Sequence, residues 1–391
     1  MLHRFRAESG RPTILHLAQP VEGGVARVVA DLVRAQLAAG LRVEVACPTG
    51  GELADRVARA GAPVHHWPAV RQPGPALARE VWTASRLVRR SGCGLVHAHS
   101  AKAGLAARLA VRGRVPTVFQ PHAWSFDAVE GRAAQLALTW ERYGSRWAAR
   151  TLCVSETERR AGEAAGIAAR WAVIHNGVDL DHFGPVGEQR PARVALPQLA
   201  DAPAGAPVVV CVGRLCRQKG QDVLLRSWPA VLAAVPDARL VLVGDGPDRP
   251  QLVRLAPPGV LFTGAAADVR PWLGAADLVV LPSRWEGMAL APLEAMASGR
   301  PVVLTDVSGA RESLPPGHDA HCLVPPDDPR ALATALTALL ADAELRTRIG
   351  RQAQDHTRAT RDVRRTAAAV HDLYQDLLDA PHPTTRKHTW R

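Results

Sequence analysis

Two carboxylates, Glu286 and Glu294, stand with seven residues between them, Gly287-Met288-Ala289-Leu290-Ala291-Pro292-Leu293. A buried-strand run at 278–281 ends just before the first acid, and a short helical stretch carries the second in its first turn. Pro292 suits the first helical position and Gly299 suits the residue past the end. The backbone N–H groups of Gly287, Met288, Ala289 and Leu290 then stand at a helix N-terminus, a natural seat for phosphate. Acid, phosphate seat, acid is a receptor for a ligand with hydroxyls at both ends and negative charge between them, the chemistry of a sugar nucleotide.

Arg214 and Lys219 lie in Val212-Gly213-Arg214-Leu215-Cys216-Arg217-Gln218-Lys219-Gly220, after another strand run and before a helix. Open α/β sheets bind ligands at such strand ends. Two cations there can neutralise a diphosphate. Lysine is scarce: Lys102, Lys219 and Lys387 are the only three among 48 basic residues. A chain that uses arginine for generic charge gives more weight to a lysine inside such a loop.

Histidines mark two further strand ends: His97 and His99 in Leu95-Val96-His97-Ala98-His99, and His122 in Phe119-Gln120-Pro121-His122. They lack zinc spacing and an accompanying thiol or acid, so no metal site is expected. Gly23 and Gly24 follow the first strand and let a ligand approach the backbone, but they do not form the G-x-G-x-x-G of a dinucleotide site. Asp179-x-Asp181 could suggest a divalent-metal site, yet Asn176 and Gly177 before it read as a turn.

The length of 391 residues accommodates two domains. No run is long and apolar enough to span a bilayer. Arg4, Arg6 and Arg11 have no apolar stretch behind them, so no signal peptide is read. The cysteines Cys47, Cys93, Cys153, Cys211, Cys216 and Cys322 show no C-x-x-C and read as reduced thiols of a cytoplasmic protein. Residues 1–178 hold 24 basic against 13 acidic residues, while residues 179–391 hold 24 of each. All of the net charge of +11 therefore sits in the first half. An N-terminal domain lying against an anionic membrane surface is one reading; a solvated basic surface is the other. Arg86, Arg89, Arg90, Arg108, Arg112 and Arg114 are the candidate contacts. No helix pattern concentrates the arginines and no aromatic-plus-basic strand appears, so no nucleic acid is expected.

Strand runs are expected at 13–18, 42–47, 63–66, 95–98, 117–120, 151–154 and 171–175, then at 208–213, 239–243, 260–263, 278–281, 301–304 and 322–324. Helical patterns such as 25–39, 101–111 and 221–235 lie between them. This alternation predicts two doubly wound parallel α/β sheets, each Rossmann-like. The expected organisation is an N-terminal domain over 1–178, a proline-rich linker over 179–206, a C-terminal domain over 207–378 and a flexible tail over 379–391.

The Glu-x7-Glu segment, the G-R-L-x-x-x-K-G run at 213–220 and the Asn-Gly-Val-Asp at 176–179 together resemble the retaining GT-B glycosyltransferases of family 4, over about residues 13–378. The resemblance implies two Rossmann-like domains facing a central cleft, with the last helix returning to the first domain. It implies transfer of a sugar from a nucleotide-diphosphate donor, UDP by family frequency, to an acceptor hydroxyl, with a lipid-linked or cell-envelope glycan as a candidate acceptor. It implies roles too. Arg214, Lys219 and the 287–290 amides would hold the diphosphate, Glu286 the sugar hydroxyls and Glu294 the ribose. His122 would lie near the transferred sugar, His99 on the acceptor side and Gly23-Gly24 at the donor phosphate. No cofactor or metal is implied. A nucleotide-sugar 2-epimerase and a non-catalytic binding module on the same fold stay open. In place of the family's usual glycine, His321 and Cys322 precede Leu323-Val324-Pro325-Pro326.

Overall fold

The computed structural model describes residues 12–71, 74–185, 189–200, 202–203 and 205–379. Arg4, Arg6, Arg11 and Lys387 lie outside the described residues, as does the expected tail from residue 380 on, while Asp379 ends a helix. The chain divides into two compact units. Unit 1 takes the residues through His175 together with those from Arg364 onward, and unit 2 spans Asn176–Val363.

Unit 1 is built on strands β1 (Ile14–Ala18), β2 (Val43–Cys47), β3 (Val64–His66), β4 (Leu95–His99), β5 (Thr117–Gln120), β6 (Arg150–Cys153) and β7 (Trp171–Val173). They form one parallel sheet in the order β3-β2-β1-β4-β5-β6-β7. The order reverses between β1 and β4, which is where a doubly wound sheet opens a ligand crevice at its strand C-termini. The register sets His16 beside His97 and Ala18 beside His99. Side chains alternate across a strand. Leu15, Leu17, Val96 and Ala98 therefore share one face and pack with Ala84, Ala103, Ala106 and Ala107 of the helices Leu77–Ser91 and Ser100–Val111. His16, His97 and His99 fall on the other face.

Two ion pairs are buried in this unit. Lys102 Nζ lies 2.7 Å from Glu80 Oε2, and Arg108 Nη2 lies 2.8 Å from Glu141 Oε2. The Arg108 guanidinium also stacks at 3.9 Å from the Phe119 ring centroid and 5.2 Å from that of Trp140. Arg108 is thus a core residue, and it drops out of the candidate membrane contacts. Arg86, Arg89, Arg90, Arg112 and Arg114 are exposed. Contrary to the sequence reading, one helix does concentrate arginines. Arg79, Arg86, Arg89 and Arg90 fall with the exposed Trp82 on one stripe of Leu77–Ser91, opposite the buried Glu80 and Ala84.

Unit 2 holds β8 (Val208–Val212), β9 (Arg239–Val243), β10 (Val260–Gly264), β11 (Leu278–Leu281), β12 (Val302–Thr305) and β13 (Leu323–Val324). Its parallel order is β10-β9-β8-β11-β12-β13, with the reversal between β8 and β11. Three of its strands, β8, β11 and β12, are buried throughout and almost wholly aliphatic, as strands covered on both faces must be.

The stretch expected as a linker carries structure. It contains the helix Gln189–Val194 and a 3-10 turn at Pro197–Leu199. Arg193 fastens it to unit 2 by donating to Ala206 O and Ala275 O and pairing with Asp277. Its start is held as well. Val178 N donates to Arg361 O at 2.8 Å and Val363 N donates to Val178 O at 3.0 Å. The final helix, Val363–Asp379, turns Ala367, Val370, Leu373, Tyr374 and Leu377 inward, and from Arg364 onward it belongs to unit 1.

Candidate functional site

The predicted residues fall into two sets, one in each unit. In unit 2 the chain leaves β8 through Gly213, makes a 3-10 turn at Arg217–Lys219, and enters the helix Gln221–Ala234 through Gly220. Gly220 has φ +64°, and a Cβ there would sit 2.0 Å from Pro282 O in the neighbouring loop after β11. Only glycine allows that approach. It brings Lys219 to the residues after β11, and Lys219 Nζ lies 2.5 Å from Glu286 Oε1. The same oxygen accepts from Ser283 Oγ at 2.7 Å, and Gln218 Nε2 donates to Trp285 O at 3.0 Å. The carboxylate is 9% exposed, so the lysine and the serine hydroxyl fix it in one orientation.

Arg284 locks the two loops from outside. It forms a bidentate pair with Asp222 at 2.8 and 2.7 Å, reaches Asp327 at 2.7 Å, and donates to Arg217 O at 2.8 Å. Pairing with Arg284 holds the Asp222 carboxyl below its ordinary pKa, against the opposing effect of burial. Arg214 is exposed, and its guanidinium has no partner among the described residues. The loop after β9 closes on this segment: Leu215 N donates to Asp245 O at 3.0 Å, and Gly244 and Gly246 lie against Gly213 and Leu215.

The helix following Glu286 is Leu290–Ala297, which begins two residues earlier than Pro292 suggested. Pro292 occupies its third position, where the missing N–H is still one of the orphans of a first turn. Glu294 therefore lies in the second turn, and it is buried. Gly299, at φ +75°, does stand just past the end. The N–H groups at Leu290 and Ala291 have no helical partner by construction. Ahead of them, Asn176 Nδ2 donates to Met288 O at 2.8 Å, and Gly309 lies so close that a Cβ would meet Gly287 O at 2.2 Å. These contacts fix the 287–290 backbone beside Glu286.

In unit 1, Gly23 and Gly24 begin the helix Gly23–Ala38 itself. Both are exposed, and a Cβ at either would meet nothing within 4 Å. His99 ends β4, and His122 follows β5 in a left-handed backbone at φ +59°. Buried Trp124, whose indole N–H donates to Glu158 O at 2.7 Å, pins that turn. His99 Nδ1 and His122 Nε2 lie 3.1 Å apart.

His16 was not singled out in the sequence. It stands in the middle of β1, with Nδ1 2.9 Å from His99 Nε2 and Nε2 2.8 Å from Gln36 Oε1. His97 Nδ1 meets the Tyr374 hydroxyl at 2.5 Å. Burial lowers the pKa of all four histidines, to about 4 for His16 and about 3 for His122, so the rings are neutral. His16, His97 and His99 crowd as a metal triad would. Five of their six ring nitrogens, however, are spent on one another, on His122, on Gln36 and on Tyr374, and His97 Nε2 is buried without a hydrogen-bond partner among the described residues. Asp179 Oδ1 accepts from the N–H groups of Asp181 and His182, both at 3.1 Å, which is a turn closed on itself. The six cysteines are free, and all but Cys216 are buried.

Two parallel α/β units of this order, with a carboxylate–lysine pair and a helix N-terminus at one switch point, define the GT-B class of fold. Residues 22–182 match the family model described as Glycosyltransferase Family 4, and residues 206–342 match that described as Glycosyl transferases group 1. The chain belongs to these glycosyltransferases. It is 31% identical over 217 residues to the lipopolysaccharide core biosynthesis mannosyltransferase LpsB of Rhizobium meliloti, covering 53% of this chain and 61% of that protein. It is 29% identical over 245 residues to the UDP-Gal:alpha-D-GlcNAc-diphosphoundecaprenol alpha-1,3-galactosyltransferase of Escherichia coli, covering 57% and 60%. The match thus spans about three fifths of these relatives' length. The fold agrees with that of Anabaena HepE, solved in complex with UDP and glucose, at a TM-score of 0.77 and 24% identity over 93% of this chain and all of that one.

Proposed function

We propose that the protein is a retaining glycosyltransferase that moves a sugar from a nucleotide-diphosphate donor, UDP-linked by preference, to an acceptor hydroxyl. The observation that carries this reading is the Lys219–Glu286 pair beside the N-terminus of Leu290–Ala297. A departing diphosphate needs positive charge and N–H donors where its own charge grows. Lys219, Arg214 and the Gly287–Leu290 amides supply both without a metal. Glu286, held by Lys219 and Ser283, is oriented to accept from sugar hydroxyls, and Glu294 from the ribose. Retention by same-face attack lets a donor phosphate oxygen take the acceptor proton, so the protein needs no dedicated base. The histidine set of unit 1 serves the hydroxyl-bearing part of the ligands.

The Escherichia coli relative is named for a diphosphoundecaprenol-linked acceptor. A membrane-borne acceptor for this chain is also supported by the basic stripe of Leu77–Ser91, where Arg86 stacks 4.9 Å from the Trp82 ring centroid. Tryptophan beside arginine suits a peripheral contact with anionic lipid. No described helix is long and apolar enough to cross a membrane.

The deciding experiment is nucleotide binding followed by turnover. Purified protein is screened by thermal shift with UDP, GDP and ADP. A ligand at 100 times its Kd adds about 2.7 kcal/mol. The matching nucleotide sugar is then incubated with glycosyl acceptors, and the anomeric configuration of the product is read by NMR. Retained configuration is expected. An inverted product overturns retention, conversion of donor without acceptor makes the protein an isomerase, and binding without turnover makes it a binding module.

A further inference from the structure

The buried face of a parallel sheet is ordinarily aliphatic, yet here β1 and β4 turn three histidines into it. Each polar ring in such a place must be paired. The pairs form one continuous line. His122 Nε2 contacts His99 Nδ1 at 3.1 Å, and His99 Nε2 contacts His16 Nδ1 at 2.9 Å. His16 Nε2 contacts Gln36 Oε1 at 2.8 Å, and Gln36 Nε2 reaches toward the Tyr374 hydroxyl at 3.5 Å. That hydroxyl ends on His97 Nδ1.

A neutral imidazole has one N–H and one lone pair, so a hydrogen bond made by one nitrogen dictates the role of the other. The phenol is the better acid of the last pair and donates its O–H to His97 Nδ1, which leaves the His97 proton on Nε2, a buried atom with no hydrogen-bond partner among the described residues. Its oxygen is then an acceptor, which turns the Gln36 amide N–H₂ toward it and the Gln36 carbonyl toward His16. His16 must donate from Nε2 and accept at Nδ1. His99 must therefore donate from Nε2 and accept at Nδ1, and His122 must donate from Nε2. The remaining nitrogen, His122 Nδ1, is left as a bare lone pair on a partly exposed ring at the C-terminal edge of the sheet. It has no partner among the described residues.

We propose that Tyr374, Gln36, His16 and His99 form a one-way hydrogen-bond relay that sets the tautomer of His122, so that its Nδ1 accepts a hydrogen bond from a ligand hydroxyl and rejects an anionic oxygen. The inference rests on the proposed function only for the identity of the ligand, a sugar or acceptor hydroxyl. Gln36, His16 and Tyr374 are positioning residues in this scheme, since they act through His99 and His122. The neutral state of the rings agrees with it, because a protonated member would donate from both nitrogens and break the line.

The test reads the tautomers directly. Two-bond ¹⁵N–¹H correlation spectra are recorded on the ¹⁵N-labelled full chain without ligand, with His16→Gln, His99→Gln and His122→Asn variants to assign the rings. The relay requires His16, His99 and His122 each to carry the proton on Nε2 at pH 7.5. Finding the proton on Nδ1 of any of the three overturns it. Tyr374→Phe keeps the ring packing but removes the hydroxyl that holds the Gln36 amide, and it should turn the distant His122 signal into a mixture of tautomers. An unchanged His122 signal in a folded Tyr374→Phe variant also overturns the relay. If that variant fails to fold, the wild-type spectrum still decides. In a transfer assay the variant should lose about tenfold in kcat/KM, the scale of one hydrogen bond. The relay tautomers without any sugar transfer would sink the proposed function and leave the relay standing. Transfer with a proton on Nδ1 would do the reverse.

Discussion

Lys219 and Glu286 are 67 residues apart in sequence and meet at 2.5 Å, each from the loop that follows one of two adjacent strands of the same sheet. In the proposed function the lysine has two partners to serve in turn, a resident carboxylate and an arriving diphosphate. Ser283 keeps the carboxylate in place when the lysine shifts its attention.

Replacing Lys219 or Arg214 by alanine should each lower kcat about 10²-fold, the scale of losing one transition-state donor. Nucleotide titrations should show weaker diphosphate binding in both variants. Near-native turnover in both would remove the leaving-group role.

Chelation should leave the rate unchanged. Asp179 is occupied in its own turn, and His16 and His99 spend both ring nitrogens on His122, Gln36 and each other. Activity is measured before and after EDTA, with manganese and magnesium added back. Loss on chelation and recovery with either ion would contradict a metal-free diphosphate site.

Stability should fall as pH drops through the range between the ordinary histidine value and the depressed ones. His16 is neutral in the fold down to about 4, while in the unfolded chain it takes its proton near 6.5. The unfolded state therefore binds more protons in that window, and folding stability, complete above it, is lost as pH falls. His16 alone contributes a loss on the order of 3 kcal/mol, and His122, lowered to about 3, acts in the same direction. Calorimetric scans at steps from pH 7.5 to 4.5 check this, and a flat melting temperature over that range would refute it.

Glu141→Gln should destabilise the protein by about 3–5 kcal/mol, because Arg108 would stay buried without its counter-charge. Urea unfolding of this variant and of Arg108→Met with Glu141→Leu separates the two terms. The double variant should recover most of the loss. Equal losses in both would mean that packing around Phe119 and Trp140, and not charge, is what the pair provides.

Membrane binding, if the basic stripe serves it, should depend on salt and on anionic lipid. Each basic residue near such a surface contributes about 1 kcal/mol within a Debye length. In vesicle co-sedimentation, Arg86→Glu with Arg89→Glu should abolish binding to anionic vesicles, and Trp82→Ala should weaken it. Equal binding to neutral and anionic vesicles, or to neither at low salt, would dismiss the membrane and favour a soluble acceptor.

The thirteen strand runs were all legible, because parallel strands are short, mostly apolar and bounded by turns, and even the less buried β7 and β10 keep that pattern. The Lys219 and Glu286 loops were legible from residue type and place. What could not be read was long-range pairing. Arg108 looked like surface charge because Glu141 lies 33 residues away. His16 looked like an ordinary strand residue until the β1–β4 register set it beside His97. Tyr374, on the final helix, gave no local hint of its contact with β4. The two-residue error at Pro292 has a local cause: proline fits any of the first positions of a helix, since none of their N–H groups is bonded.

The return of the final helix makes unit 2 an insertion within unit 1. During synthesis the seven-stranded sheet is translated first, yet Tyr374, Leu373 and Leu377 that seal it emerge last. Unit 2 can reach its fold on the ribosome as a continuous segment. Unit 1 must wait until the helix Val363–Asp379 has been made, with its buried histidines short of the Tyr374 hydroxyl until then. A chain ended after residue 362 would keep the Lys219 and Glu286 loops of unit 2 and would lack the helix whose buried side chains complete unit 1.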